Sequence, residues 1–149
     1  MHKIIIFFLL ILFLNSNSIS EEFDYFLMLK NKKVNVRFGP SLKSPIKFIY
    51  NRVNLPVKVI DKKENFRRIT DHKKNSGWIH ISQLKKSKSL VTTSQKILFK
   101  KPTKYSKPLA KLNKGRLLNI KKCKQNWCYI NTGKFTGWIM KNNIWGAIK

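Results

Sequence analysis

The sequence predicts an all-β protein made of two small tandem β-barrels that follow an N-terminal signal peptide. Three observations predict this fold class. The first 20 residues have the layout of a secretory leader, short β-rich segments are divided by turn residues, and one series of motifs occurs twice. A chain of 149 residues is also too short for the (β/α)8 barrels and doubly wound sheets that carry most metabolic enzymes.

The segment 1–20 is predicted to be the signal peptide. Lys3 gives a short positive start, the run Ile4–Leu14 is apolar throughout, and Ser18 and Ser20 lie at −3 and −1 of a cleavage site before Glu21. The apolar run is shorter than the ~20 residues that a membrane-spanning helix needs. Retention as an anchor remains the alternative. Cleavage predicts a periplasmic or secreted protein with no remaining transmembrane segment, in a compartment where cysteines oxidise.

The rest of the chain contains two copies of one unit. Gly77-Trp78-Ile79 recurs as Gly137-Trp138-Ile139, which is a shift of 60 residues. Three more anchors recur in the same order at shifts of 61, 62 and 63: Phe66–Ile69 with Trp127–Ile130, Pro40-Ser41 with Pro102-Thr103, and Pro45-Ile46 with Pro108-Leu109. A drift of one residue at a time is typical of length changes in loops between fixed strands. The repeat predicts units at 23–84 and 89–146.

Four segments of the first unit have the composition of β-strands. They are rich in β-branched and aromatic residues and span 35–37, 56–60, 66–70 and 78–81. The stretches between them carry Gly, Pro, Asn and Lys, which favour turns. Short strands divided by turns over about 60 residues are typical of a small, strongly bent antiparallel barrel.

The first unit contains a series of motifs in a fixed order: Val34-Asn35-Val36-Arg37-Phe38-Gly39-Pro40-Ser41, Leu55-Pro56-Val57 and Gly77-Trp78-Ile79-His80. This series resembles the bacterial SH3-like (SH3b) domain, in the tandem form found in exported proteins of Gram-negative bacteria. The resemblance covers nearly all of 26–146. It implies a five-stranded SH3-type barrel in each unit. It also implies a non-catalytic module of the cell envelope that binds a peptide or a cell-wall polymer.

Aromatic residues of the second unit are predicted to form a ligand-binding platform. If the register is that of SH3 domains, Trp127 faces the peptide groove. Strand alternation then puts Tyr129 on the same side and Cys128 on the other. Tyr105, on the preceding long loop, is expected to complete the platform, and Phe66 is the counterpart of Trp127 in the first unit. Such a surface suits a Pro-rich peptide or a glycan; the alternative is that these aromatics cover a thin core.

Three further aromatic or cationic residues have structural and functional interpretations. Arg37 either braces the turn at Gly39-Pro40 by bonding carbonyl groups or binds the carboxylate of a ligand. Trp78 and Trp138 are expected to pack against the barrel or between the units, because Trp supplies much apolar area to a small core. Contact with a ligand is the alternative for both.

Cys123 and Cys128 flank four residues that are predicted to form a hairpin loop. Positions opposite each other across a hairpin lie within the Cα separation that a disulfide tolerates. A nucleophilic cysteine would need a histidine partner, and His72 and His80 both lie in the other unit. Two cysteines without further ligands do not make a zinc site. We therefore predict a disulfide, with no metal and no cofactor.

The net charge of +26 raises the question of a polyanionic partner. Residues 85–149 carry 17 Lys and Arg and no carboxylate. Such a field attracts polyanions. Three observations count against nucleic acid as the partner in the cell: the leader, the excess of Lys over Arg, and the scatter of basic residues along the chain. We expect weak, salt-sensitive binding to anionic surfaces.

Catalysis has little support in the sequence. Six carboxylates leave few groups for acid–base chemistry, and there is no Ser-His-Asp order, Gly-rich phosphate loop or His-Glu-x-x-His motif. The sequence therefore predicts an exported, non-enzymatic protein that binds a peptide or cell-wall ligand. The rival hypothesis is a basic protein that binds nucleic acid or anionic lipid through charge alone, and a third is an envelope protein with no ligand.

Overall fold

The computed structural model describes residues 25–148, which form two antiparallel sheets of seven strands each. The signal-peptide prediction lies outside these residues. The first sheet contains β1 (Tyr25–Leu29), β2 (Val34–Arg37), β3 (Ile46–Tyr50), β4 (Pro56–Lys63), β5 (Phe66–Thr70), β6 (Ser76–His80) and β7 (Leu84–Lys86), with a 3-10 turn at Ile81–Gln83. The second contains β8 (Ser89–Thr92), β9 (Lys96–Phe99), β10 (Pro108–Leu112), β11 (Leu117–Lys124), β12 (Trp127–Thr132), β13 (Phe135–Met140) and β14 (Ile144–Trp145).

The two sheets have the same topology. The strand order is β3-β2-β6-β5-β4-β1-β7 in the first and β10-β9-β13-β12-β11-β8-β14 in the second. The repeated glycines occupy equivalent places, because Gly77 pairs with Ile69 and Gly137 pairs with Ile130. The predicted all-β fold and internal duplication are therefore confirmed.

The four strands predicted in the first unit correspond to β2, β4, β5 and β6, which fill four consecutive places in the middle of the sheet. The structure adds β1, β3 and β7 on the two flanks, so each unit has more strands than the five that the resemblance implied. Flanking strands give a weaker sequence signal, since they bury less of their side-chain surface. Strand β3, for example, has no fully buried residue.

Each sheet curls around its own apolar core. The first core gathers fully buried residues from β1, β2, β4, β5 and β6, among them Leu29, Val34, Val57, Ile69 and Ile79. A single flat sheet could not bring these strands onto one cluster, so the sheet must bend back on itself. Register shifts at Lys47 in β3 and at Ile60 in β4, typical of β-bulges, assist the bend. The second core is equivalent, with Leu98, Leu118, Cys128, Ile130 and Ile139.

The two units are packed against each other through strand β8, all four residues of which are buried. Val91 belongs to the core of the first unit, whereas its neighbour Leu90 belongs to the core of the second. Ser89 Oγ donates a hydrogen bond to Asn54 O at 2.6 Å across the same boundary. Since successive side chains of a strand point to opposite sides, one strand serves as a wall of both cores.

The C-terminal strand closes the boundary from the other side. Trp145 in β14 packs against the first core, and its Nε1–H donates to Pro56 O at 3.1 Å. Its ring meets Phe26 edge-on, with centroids 5.2 Å apart. Trp145 therefore belongs to the sheet of the second unit by its backbone and contacts the first unit through its side chain.

Candidate functional site

Four aromatic side chains lie together on the outer surface of β9, β12 and β13. Trp138 pairs directly with Phe99 on one side and with Tyr129 on the other. The Tyr129 and Trp138 rings are 5.2 Å apart, and the Phe99 and Trp127 rings are 5.7 Å apart and nearly perpendicular. Strand β12 alternates as predicted, with Cys128 buried and Trp127 and Tyr129 half-exposed on the other side. We call this set (Phe99, Trp127, Tyr129 and Trp138) the aromatic face.

A cation lies over the aromatic face. Lys122 Nζ is 5.9 Å from the centre of the Tyr129 ring and 5.7 Å from that of Trp138. These distances fit cation–π attraction, which holds the ammonium group over the ring faces. The face can therefore offer ring surfaces for stacking beside a positive charge and the hydroxyl of Tyr129. That combination suits a flat or extended ligand that carries polar or anionic groups.

Tyr105, a predicted member of the platform, and Phe66, the counterpart of Trp127 in the first unit, do not lie as expected. Tyr105 is 99% exposed on the loop between β9 and β10, and the ring contacts of the aromatic face do not include it. Phe66 is only 6% exposed, with its ring against His80 at 5.1 Å, so its expected position on a ligand-facing surface is not observed. Phe66 starts β5 beside the tight turn at Glu64, which has a φ of 47°, and it pairs with His80 of β6.

The sequence interpretation missed Phe99 and underestimated Trp138. Trp138 follows Gly137, where an added Cβ would lie 2.7 Å from Phe99 O, so glycine allows β13 and β9 to approach closely. The adjacent side chain, Trp138, then points outward beside Phe99. The repeated Gly-Trp pair was the available signal, but its meaning depends on a strand pairing that the sequence does not state.

The first unit has a small surface cavity at the equivalent place. The cavity has a volume of about 290 Å³ and is lined by Arg37, Phe38, Lys47, Arg68, Ser76, Gly77 and Trp78. Arg37 Nη1 donates to Ser44 O at 2.8 Å, which is the bracing role predicted for it. Lys47 Nζ donates to Ser76 O at 2.9 Å. The cavity is thus lined by three cationic side chains and two aromatic ones.

The sequence matches the family of the bacterial SH3 domain twice, over residues 30–86 and 94–146. The chain belongs to the bacterial SH3 domain family. The two matched segments correspond to the two sheets, so the protein is a tandem of bacterial SH3 domains, as its motif series predicted. A comparison with curated proteins finds no match.

Solved structures with a similar arrangement include NlpC2 and NlpC1 from Trichomonas vaginalis, at 12% and 13% identity with TM-scores of 0.39 and 0.38. The similarity covers 86% and 85% of this chain, and 50% and 47% of those chains. An NlpC/P60 family protein from Bacillus cereus is 12% identical with a TM-score of 0.36, over 82% of this chain and 57% of that one. The tandem SH3 protein therefore spans about half the length of the solved structures it matches.

The two cysteines of the second SH3 domain form the predicted disulfide. Cys123 and Cys128 are directly opposite each other on β11 and β12, with a Cα–Cα distance of 4.0 Å. The hairpin turns at Gln125, which has a φ of 49°. Cys128 belongs to the apolar core, and Cys123 packs against it from the edge. The bond therefore fastens β12, the strand that carries Trp127 and Tyr129, to its neighbour.

A larger groove lies between the two SH3 domains. It has a volume of about 910 Å³ and is lined by both apolar and basic side chains. The apolar ones include Tyr25, Phe26 and Ile148, and the basic ones include Lys86 and Lys122. Lys122 therefore lies both at this groove and over the aromatic face.

Asp71 stabilises a turn of the first SH3 domain by accepting several hydrogen bonds. Asp71 accepts hydrogen bonds from the Tyr50 hydroxyl and from the backbone N–H groups of Lys73 and Asn75. Burial raises the pKa of the Asp71 carboxyl, but the bonds from Asn75, Tyr50 and Lys73 outweigh it and lower that pKa overall. Burial, with the charge of Asp71 next, raises the pKa of Tyr50. Asp71 is thus an ionised anchor for the turn before β6.

The two histidines of the first SH3 domain have different surroundings. Burial lowers the pKa of His72 in spite of the adjacent Asp71 carboxylate, which favours the neutral ring. His80 Nδ1 lies 2.7 Å from Ser82 Oγ and caps the 3-10 turn. Within residues 25–148, His, Cys, Asp and Glu form no group of three that could hold a metal ion. No helix in that part of the chain is long and apolar enough to cross a membrane.

Proposed function

We propose that this tandem SH3 protein is a non-catalytic binding protein of the cell envelope, and that the aromatic face of its second domain binds a peptide or a glycan segment of the cell wall. The observation that carries the proposal is the aromatic face itself. Four rings lie on one side of three adjacent strands, with Lys122 above two of them. Half-exposed rings in a fixed arrangement stack on sugars and on extended, proline-rich peptides.

Family membership supports a cell-wall ligand, because bacterial SH3 domains generally bind wall components. The disulfide supports a location outside the cytoplasm, since such bonds persist in oxidising compartments. A binding role without catalysis is supported by the arrangement of the groups that could react. Both cysteines are bonded to each other, and His80 caps a turn.

Sedimentation of the purified protein with cell-wall sacculi tests the proposal. We expect the protein to pellet with sacculi, and we expect Trp127→Ala or Tyr129→Ala to weaken that binding about tenfold, because each substitution removes one stacking surface. Tyr105→Ala is the matched control: it also removes an aromatic ring, but from an exposed loop outside the aromatic face. Circular dichroism verifies that each variant is folded.

Two results would reject the proposal at different levels. If the unaltered protein stays in the supernatant, the cell wall is not its ligand. If Trp127→Ala and Tyr129→Ala bind sacculi as tightly as Tyr105→Ala, the protein binds the wall through another surface.

Binding of polyanions is the second candidate function, and the charge distribution favours it. The second domain and the segment before it, residues 85–149, contain 17 basic residues and no acidic one. Binding by charge alone weakens steeply as salt rises, because it releases counterions, whereas stacking on aromatic rings largely persists. Sedimentation with sacculi and with duplex DNA at low and at physiological salt separates the two candidates.

A further inference from the structure

The surface of the first domain that corresponds to the aromatic face has a different chemistry. Trp78 occupies the place of Trp138, and its two strand neighbours are Arg37 and Arg68. In the second domain the same two places hold Phe99 and Tyr129. The two domains therefore share the central tryptophan and differ at both flanking places, which hold guanidinium groups in the first domain and aromatic rings in the second.

The cations of this surface are held in place without losing their charge. Arg37 and Lys47 each bond to a backbone carbonyl, Ser44 O and Ser76 O respectively, and carbonyl groups carry no net charge. An arginine has five N–H donors, and the bond to Ser44 uses one of them. These side chains line the 290 Å³ cavity together with Arg68 and Trp78.

One carboxylate lies near the cavity. Asp61 is opposite Arg68 in the register of β4 and β5, and its Oδ1 accepts the backbone N–H of Lys62 at 2.7 Å. Even if Asp61 offsets the charge of Arg68, Arg37 and Lys47 leave a net positive charge at the cavity. A bound anion would complete this arrangement, because charge-assisted hydrogen bonds to arginine are stronger than neutral ones.

Apolar surface lies beside the charge. Phe38 lines the cavity and is 65% exposed, with Lys47 Nζ 5.7 Å from its ring centre. Leu42, on the loop that follows, is 66% exposed. An exposed phenylalanine next to clustered cations fits a ligand in which a carboxylate adjoins an apolar group.

We propose that the Arg37–Lys47–Arg68 cavity of the first domain is a binding site for a carboxylate that adjoins an apolar group, such as the carboxyl end of a peptide. The two domains would then recognise different parts of a ligand: the second by stacking and the first by charge. This inference concerns a different surface from the cell-wall proposal. It is tested with a small molecule, so that either idea can fail alone.

The probe is N-acetyl-phenylalanine, and its control is N-acetyl-phenylalanine amide, which has the same ring and no charge. We expect the acid, and not the amide, to shift the indole N–H signal of Trp78 in a nitrogen–proton NMR titration of the purified protein. The double variant Lys47→Met, Arg68→Gln should bind the acid at least about tenfold more weakly, since it loses two charge-assisted contacts. Both positions are exposed, and Met keeps most of the lysine stem.

The matched control is Lys104→Gln, which removes one exposed positive charge from the second domain and should leave the affinity within about twofold. The proposal is overturned if the amide shifts Trp78 as strongly as the acid does. It is also overturned if Trp78 does not respond to the acid, or if the double variant binds as the Lys104 control does. Arg37 is left in place because its bond to Ser44 braces the loop.

Discussion

Trp145 fastens the end of the second domain to the first across a sequence separation of 89 residues. Replacing it by alanine removes three contributions to the free energy of unfolding. The hydrogen bond to Pro56 O accounts for about 1 kcal/mol and the edge-on ring contact with Phe26 for about 1 kcal/mol. The apolar surface that the half-buried indole covers adds about 1 kcal/mol. We therefore expect Trp145→Ala to lower the free energy of unfolding by about 3 kcal/mol, at the lower end of the range for large-to-small substitutions.

Which domain loses stability in Trp145→Ala is as informative as how much stability is lost. Because Trp145 packs against the core of the first domain, its removal should destabilise both domains. Native-state hydrogen exchange reports each domain separately through the amides of Ile69 and Ile130, which are fully buried in β5 and β12. We expect exchange at both positions to become about 100-fold faster, which corresponds to about 3 kcal/mol.

Trp138→Ala is the matched control, since it removes a half-buried tryptophan from the outer surface of the second domain alone. It should accelerate exchange at Ile130 and leave Ile69 nearly unchanged. If Trp145→Ala also leaves Ile69 unchanged, Trp145 does not couple the domains and the estimate is wrong.

Three further predictions concern stability. Replacing the disulfide with the pair Cys123→Ser, Cys128→Ala should lower the urea-unfolding free energy by about 2 kcal/mol, the chain-entropy value for so short a loop; an unchanged midpoint would contradict it. Gly137→Ala should lower the free energy of unfolding by about 1–3 kcal/mol, because the new Cβ would lie 2.7 Å from a carbonyl oxygen. A melting temperature equal to that of the wild type would show that β9 can shift to accommodate the methyl group at no cost. The folded Asp71 carboxyl has a pKa below its ordinary 3.8, so its stabilisation is complete above that pH and disappears as pH falls through the folded pKa. In urea titrations, Asp71→Asn should therefore have a lower free energy of unfolding than the wild type at pH 7, and this difference should become smaller towards pH 3. A difference that does not depend on pH would refute the prediction.

The sequence was sufficient to predict features that depend on local pattern. The alternation from Trp127 to Ile130 correctly placed Cys128 in the core and Tyr129 on the opposite side. The spacing of Cys123 and Cys128 predicted their bond, because a hairpin of that length puts its flanking residues opposite each other. The repeated Gly-Trp-Ile motif predicted the duplication, since both copies hold the same place in the sheet.

Features that depend on which strands are neighbours could not be predicted from local pattern. Phe99 joins the aromatic face only because β9 pairs with β13, and these strands are far apart in the sequence. Tyr105 was expected at the same face but projects from a loop whose path the composition does not determine. Phe66 aligned with Trp127 and yet is buried, with its ring against that of His80.

The shared wall formed by Ser89–Thr92 also has a consequence for the two binding sites that we propose. Because one buried strand contributes to both hydrophobic cores, the domains cannot swing apart as they would on a flexible tether. Two sites held at a fixed separation increase each other's apparent affinity only when one ligand can reach both sites without strain. If both proposed sites bind one polymer, the affinity should therefore depend on the distance between its repeating groups, and it should be highest when that distance matches the separation of the two sites.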